Sequence, residues 1–204
     1  MKKNILTVAT ANDGKLKEIR EICAAAHLPF EIRSLKDVFD PVPDIPETGE
    51  TFSSNAFIKA DWVFARVGGW VLADDSGLEV DILNGAPGVY SARYSGEPKN
   101  DTRNLEKLLA DIANVPLEKR TARFRCVLAL VGPNDFDHEV NGTCEGIIAT
   151  SPSGSNGFGY DPVFIPAGWS KTFAEGESEE KHEISHRGKA LAQLVGVLRD
   201  AVKS

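Results

Sequence analysis

Asn4-Ile5-Leu6-Thr7-Val8-Ala9, then Thr10-Ala11-Asn12-Asp13-Gly14-Lys15, then Leu16-Lys17-Glu18-Ile19: this stretch decides the fold. Asn4 to Ala9 reads as a buried strand. Leu16, Ile19, Ile22 and Ala26 recur at helical spacing, so a helix is predicted from about Gly14 to Ala26. Strand, short turn and helix in that order open an α/β fold. The turn points free backbone N–H groups and the positive helix end at one spot, which suits a phosphate. Lys15 would add a point charge. A Walker loop is excluded, because Ala9 and Leu16 stand where that pattern needs Gly and Ser or Thr. A second reading of the turn stays open, in which Asn12 or Asp13 merely caps the helix.

Outward from this turn, helices and strands continue to alternate. Glu31 to Ser34 reads as a short strand. Pro41, Pro43 and Pro46 make Phe39 to Gly49 a stiff, irregular loop. Thr51 to Val67 reads as a helix with Thr51 or Ser53 at its N-cap. Val71 to Ala73 is a short apolar strand ending in Asp74-Asp75-Ser76-Gly77. Leu105, Leu108, Leu109 and Ile112 mark a third helix. Phe124 to Val131 and Glu139 to Ile148 read as an antiparallel pair around Gly132-Pro133-Asn134. Leu191, Leu194, Val195, Leu198 and Val202 space a closing helix. Strands of both senses between helices give an α/β class with a mixed sheet.

Bulk properties narrow the function. The chain has 204 residues, 42% hydrophobic and 26% charged, which suits a globular domain with a real core. Acids outnumber bases by 30 to 23, for a net charge of −7. A protein that grips a nucleic-acid backbone usually shows a basic surplus, so nucleic acid is not expected as a partner. The N-terminal apolar stretch is too short for a signal peptide or a membrane span. Cys23, Cys126 and Cys144 are odd in number and show no C-x-x-C spacing, which fits reduced thiols in a cytoplasmic protein.

Four segments carry polar residues in patterns that suit chemistry. The first is the Thr10–Lys15 turn. In the second, Asp74-Asp75-Ser76-Gly77 follows a strand, a frequent metal or catalytic position in α/β folds. Mg²⁺ takes few carboxylates and completes its shell with water and phosphate oxygens. Successive strand side chains alternate faces, so at most one of the two acids faces a given cleft. Capping by Asp74 or Asp75 is the competing reading. Glu47, in Pro46-Glu47-Thr48-Gly49, is a candidate second carboxylate or else a solvated loop acid. The third is Asn156-Gly157-Phe158-Gly159-Tyr160-Asp161-Pro162, where a purine could stack on Phe158 or Tyr160. The fourth is Lys181-His182-Glu183-Ile184-Ser185-His186-Arg187. It contains the H-E-x-x-H pattern of zinc proteases. That chemistry needs a third His or Glu further on, and neither follows His186. The alternative is that Lys181, His186 and Arg187 are donors aimed at an acceptor-rich ligand.

Together these motifs resemble, in order and spacing over nearly the whole chain, the non-standard purine nucleoside triphosphate pyrophosphatases, also called inosine triphosphate or dITP/XTP pyrophosphatases. The resemblance is carried by Thr10–Lys15, Glu47-Thr48-Gly49, Asn55-Ala56 with Lys59-Ala60, and Ala73-Asp74-Asp75-Ser76-Gly77-Leu78. It continues through Gly85-Ala86-Pro87-Gly88-Val89-Tyr90-Ser91-Ala92-Arg93, Gly157–Pro162 and Ser185-His186-Arg187. It implies a single elongated two-lobed domain over residues 1–204, with a mixed sheet flanked by helices and the active site in the cleft between lobes. It implies a cytoplasmic homodimer that uses Mg²⁺ and acts on a small nucleotide. Asp75 and Lys59 would be catalytic, with Asp75 and Glu47 as metal ligands. Thr10, Ala11, Asn12, Asp13, Gly14, Lys15 and Ser76 would hold the triphosphate. Phe158, Gly159, Tyr160, Asp161, Lys181, His186 and Arg187 would hold base and sugar. Such proteins usually carry Gly or Ser where this chain has Ala11, so a backbone angle that needs Gly is in question there.

The chemistry agrees with that assignment. Attack of water on the α-phosphorus needs charge neutralisation, positioning and a proton acceptor. Deaminated purines present a 6-oxo acceptor where adenine presents an amino donor, so donors at that edge would reject adenine. A non-catalytic nucleotide sensor is the rival from another class, and Asp75 with Lys15 argues against it. The expected role is removal of deaminated purines from the nucleotide pool.

Overall fold

The computed structural model describes residues 4–201. Val202 of the expected closing helix lies outside them, as do Met1, Lys2 and Lys3. Among the described residues six strands form one sheet: β1 (Asn4–Val8), β2 (Phe30–Ser34), β3 (Trp70–Val80), β4 (Thr121–Gly132), β5 (Phe136–Ile148) and β6 (Phe164–Pro166). Their order is β2-β1-β3-β4-β5-β6. β1 is parallel to both β2 and β3, with Val8 opposite Ser34 and Leu72, whereas β6 is antiparallel to β5. The sheet is mixed, and the α/β class stands. Among the described residues five α-helices accompany it: α1 (Asp13–Ala25), α2 (Phe52–Val67), α3 (Asp101–Asp111), α4 (Ser178–Ile184) and α5 (His186–Ala201).

Local chemistry sets the helix starts. The Asn12 side chain accepts the Lys15 N–H, Thr51 accepts that of Ser54, and Asn100 accepts that of Arg103. Each satisfies an N–H that has no acceptor within its helix. The β4–β5 connection, Pro133-Asn134-Asp135, places Asn134 and Asp135 at φ of 60° and 56°, a backbone that asparagine and aspartate tolerate.

One expectation is corrected. Val71 to Ala73 is expected as a short strand ending in Asp74-Asp75-Ser76-Gly77, with capping by either acid as the competing reading, yet β3 runs on to Val80. The acids remain in the strand because each carboxylate has cationic partners waiting for it.

The chain divides into two compact units. Among the described residues, the first is made of 4–75, 126–141 and 187–201. Its core joins Leu6 and Val8 of β1, Leu16, Ile19 and Cys23 of α1, Leu72, Leu128 and Leu130, and Leu191, Leu194 and Leu198 of α5. Burying each such side chain contributes about 1.5–3 kcal/mol, so this core fixes α1 and α5 firmly. The second unit is made of residues 76–125 and 142–186. Its core holds Leu78, Val80, Leu105, Leu108, Ile112, Phe124, Phe164 and Phe173. Phe124 meets Phe164 edge-on at 4.7 Å between centroids. No helix among the described residues is long and apolar enough to cross a membrane.

Candidate active site

In the first unit, the Thr10–Lys15 turn leads directly from β1 into α1. Thr10 Oγ1 accepts the Asn12 N–H at 3.1 Å, and Asn12 Oδ1 accepts the Lys15 N–H at 3.0 Å. The turn is self-supported and mostly exposed, and the N–H groups of Asp13 and Gly14 have no acceptor within the helix. The capping reading is therefore true of Asn12, and it coexists with an anion-binding helix end. Ala11 is not among the positive-φ residues, so its backbone does not require Gly.

Lys15 reaches from this turn to Asp74, with Nζ 2.6 Å from Oδ1. Asp74 Oδ2 accepts from Arg187 Nε at 2.7 Å and from the Cys126 thiol at 3.4 Å. Arg187 also pairs with Glu18 of α1. Burial opposes ionisation of Asp74, but Arg187 and Lys15 outweigh it and hold its carboxyl well below the usual range. The same burial disfavours charge on Arg187, and Asp74 and Glu18 more than restore it.

Asp75 has other neighbours. Lys59 Nζ, projecting from α2, donates to Asp75 Oδ1 at 2.7 Å, to Glu47 Oε1 at 2.8 Å and to the Asp74 carbonyl at 3.0 Å. Burial disfavours charge on Lys59, but Asp75 and Glu47 raise its pKa overall. For Asp75 the balance goes the other way. Burial pushes its carboxyl up, and the pull of Lys59 and Lys15 does not fully compensate. Its Oδ2 is buried and has no hydrogen-bond partner. A buried anionic oxygen without a donor costs free energy unless a cation or a proton meets it.

That oxygen tests whether a metal fits. Asp75 and Glu47 supply hard carboxylate oxygens on either side of Lys59. No group of three or more His, Cys, Asp or Glu among the described residues could hold a metal. A structural zinc site needs more protein ligands than this, whereas Mg²⁺ is commonly held by one or two carboxylates plus substrate phosphates. The residues present fit Mg²⁺.

The second unit gathers Phe158, Asp161 and Lys181. Asp161 Oδ2 accepts the Phe158 N–H at 2.9 Å and pairs with Lys181 Nζ at 2.8 Å. A Cβ on Gly157, whose φ is +77°, would lie 2.0 Å from that same oxygen, so glycine is required there. Lys181 Nζ stands 5.1 Å from the centre of the Phe158 ring. Phe158 is half-buried. Tyr160 is not available for stacking: it is 5% exposed, its hydroxyl donates to the Ser91 carbonyl, and its ring belongs to the core. The stacking alternative for Tyr160 is thereby corrected. Gly159 donates its N–H to Asp101 at 3.0 Å, and Ser76 is half-buried on β3.

The Lys181–Arg187 segment is not one helix. α4 ends at Ile184, Ser185 is extended with ψ of 157°, and α5 begins at His186. His182 and His186 therefore do not share a helical face, which the zinc-protease pattern requires. His186 stacks on Phe124 with centroids 4.7 Å apart and planes 11° from parallel. Arg187 is 1% exposed and committed to Asp74 and Glu18, so donation to a base edge requires exchanging a carboxylate for the base. Glu18 and Cys126 were missed by the sequence reading. A single Glu among exposed helical charges and a Cys within an apolar strand carry no local signal.

The chain matches the model of the Ham1 family over residues 6–197. A dITP/XTP pyrophosphatase of Geobacillus kaustophilus is 50% identical over 189 residues, 93% of this chain and 91% of that protein. A dITP/XTP pyrophosphatase of Bacillus cereus is 49% identical over 191 residues, 93% of this chain and 92% of that protein. The structure of a HAM1 protein from Coxiella burnetii is similar with a TM-score of 0.85 at 41% identity, covering 97% of this chain and 99% of that one.

Proposed function

The chain belongs to the Ham1 family, and from that premise we infer that it hydrolyses non-standard purine nucleoside triphosphates, dITP and XTP among them, to the monophosphate and pyrophosphate. The observation that carries the chemical reading is Asp75 Oδ2, a buried carboxylate oxygen without a donor, beside Lys59 and Glu47. Asp75 and Glu47 would hold Mg²⁺, which when bound neutralises phosphate charge and makes a nearby water more acidic.

Asp75 accepts the proton of the attacking water at Oδ2. A carboxylate held beside the reacting water can take its proton. Lys59 orients the Asp75 and Glu47 carboxylates and brings positive charge to the same place. The Asp13 and Gly14 N–H groups with Lys15 bind phosphate oxygens. Water attacks the α-phosphorus, the bond to the bridging oxygen of the β-phosphate breaks, and pyrophosphate leaves.

On the base side, Phe158 offers a stacking face, which every base can use. Discrimination then falls to Lys181 and His186 as donors to a 6-oxo group, while Arg187 stays with Asp74 and Glu18. A site that pairs a buried polar group rejects the mismatched analogue by roughly 10⁴-fold or more, so dITP and XTP are expected to exceed dATP by that order in kcat/KM. A cytoplasmic homodimer completes the proposal. Three buried free cysteines support the reducing compartment, and sedimentation tests the dimer. The test of the function is a panel of dITP, XTP, dATP and dGTP with Mg²⁺, reading pyrophosphate against orthophosphate. EDTA should abolish turnover and Mg²⁺ restore it. Orthophosphate as first product, or equal rates on dATP, would contradict the reading.

A further inference from the structure

Glu47 sits in a segment with no means of its own to hold a carboxylate still. Phe39 to Gly49 contains no helix or strand, and Pro41, Pro43 and Pro46 lack the N–H that could anchor it. Its anchors come from one face of α2. Lys59 grips the Glu47 carboxylate at 2.8 Å. One helical turn earlier, Asn55 Oδ1 accepts the Gly49 N–H at 2.7 Å. Residues four apart lie on the same helix face, so a single rigid surface clamps both ends of Glu47-Thr48-Gly49. Asn55 is 1% exposed, in a helix whose start is fixed by the Thr51 cap. Gly49 closes the fit. A Cβ there would lie 2.2 Å from Ser54 Oγ and 2.8 Å from Asn55 Oδ1, so only glycine lets the loop come this close.

We propose that Asn55 is a positioning residue for metal binding: its buried carboxamide oxygen, by holding the Gly49 N–H, fixes the Glu47 carboxylate beside Asp75. The inference rests on the reading that Glu47 and Asp75 hold the divalent cation. Asn55 holds the backbone beside Glu47 rather than either carboxylate and acts through Glu47. It differs in this from Lys59, whose ammonium meets both carboxylates directly. Without the Asn55 clamp, Glu47 keeps its charge and loses its place, and ordering it becomes part of the work of binding.

The test counts bound Mn²⁺ by electron paramagnetic resonance, in the presence of the non-hydrolysable α,β-methylene analogue of dITP. Loss of a group that orients a metal ligand typically weakens binding about 10–100-fold, so Glu47→Gln and Asn55→Leu should each raise the Mn²⁺ dissociation constant by at least about tenfold. The double variant should be no weaker than Glu47→Gln alone, because both changes remove one interaction. Gly49→Ala keeps the Asn55 side chain but drives the loop off it, and should copy Asn55→Leu. It also decides the matter if Asn55→Leu fails to fold. Binding by Asn55→Leu and Gly49→Ala within about twofold of wild type, or losses that simply add in the double variant, would overturn the role of Asn55 while leaving the metal reading intact. An unchanged dissociation constant in Glu47→Gln would overturn both.

Discussion

Asp74 and Asp75 share a peptide bond on β3 and differ in almost everything that surrounds them. Asp74 faces Lys15, Arg187 and Cys126, and all of its charge is matched by cations and donors. Asp75 faces Lys59, which also serves Glu47, and one of its oxygens has no donor. The first carboxyl is held well below its ordinary pKa and the second is raised above it. Alternation along a strand makes the contrast possible, because consecutive side chains leave by opposite faces. A fully paired carboxylate holds structure together and resists protonation. A carboxylate with an oxygen to spare can bind a cation or take a proton. On the proposed mechanism the two neighbours divide the work of the site, one supporting and one reacting.

The sharpest way to break this comparison is to neutralise each acid in turn and read turnover. On the proposed mechanism Asp75→Asn removes the proton acceptor and a metal ligand, and a positioned base alone is worth about 10²–10⁴-fold, so kcat should fall by at least that much. A residual rate within a few-fold of wild type would end the assignment.

The next largest effect concerns stability, and it should reverse the ranking. Asp74→Asn leaves Arg187 and Lys15 short of a buried partner, and Arg187→Ala leaves Asp74 and Glu18 short of theirs. Removing one member of a buried pair costs about 3–5 kcal/mol, so both variants should unfold at clearly lower denaturant concentration. Asp75→Asn should lose less, since burial already disfavours its charged form. Equal losses from Asp74→Asn and Asp75→Asn would erase the distinction.

A smaller effect follows from acid. The folded pKa of Asp74 is depressed, so its stabilising contribution is complete above the unfolded value of about 3.9 and fades as pH falls through the folded value. Stability attributable to Asp74 should therefore hold at pH 5 and decline below about pH 4. Comparing wild type with Asp74→Asn across that range isolates it: the gap between them should narrow as pH falls. A gap that widens toward low pH would show that Asp74 is not held ionised.

Much of this architecture was legible in the chain. The strand–turn–helix from Asn4 to Ala25, the helix from Phe52 to Val67 and the β4–β5 hairpin follow from apolar spacing and caps, which are local. A cap by Asn12 or Asp13 is legible because capping is a matter of three residues, and the structure selects Asn12. The continuation of β3 through Asp74-Asp75-Ser76-Gly77 was not legible. Two acids and a glycine look like a turn until one knows that Lys15, Lys59 and Arg187 wait for the charges. The Glu18–Arg187 pair joins residues 169 apart, and no periodicity reports such a contact. The break at Ser185 was hidden for the same reason, since a polar residue between two histidines reads equally well as a helix interior. Ion pairs between distant segments are what the sequence conceals, and here they give the two adjacent aspartates different surroundings.

The most direct measurement follows the oxygen atom that Asp75 is held to activate. Hydrolysis of dITP is run to completion in water enriched in oxygen-18, and the products are weighed by mass spectrometry. One labelled oxygen is expected in the monophosphate and none in the pyrophosphate, because water attacks the α-phosphorus. Label in the pyrophosphate, or a diphosphate with labelled orthophosphate, would contradict it.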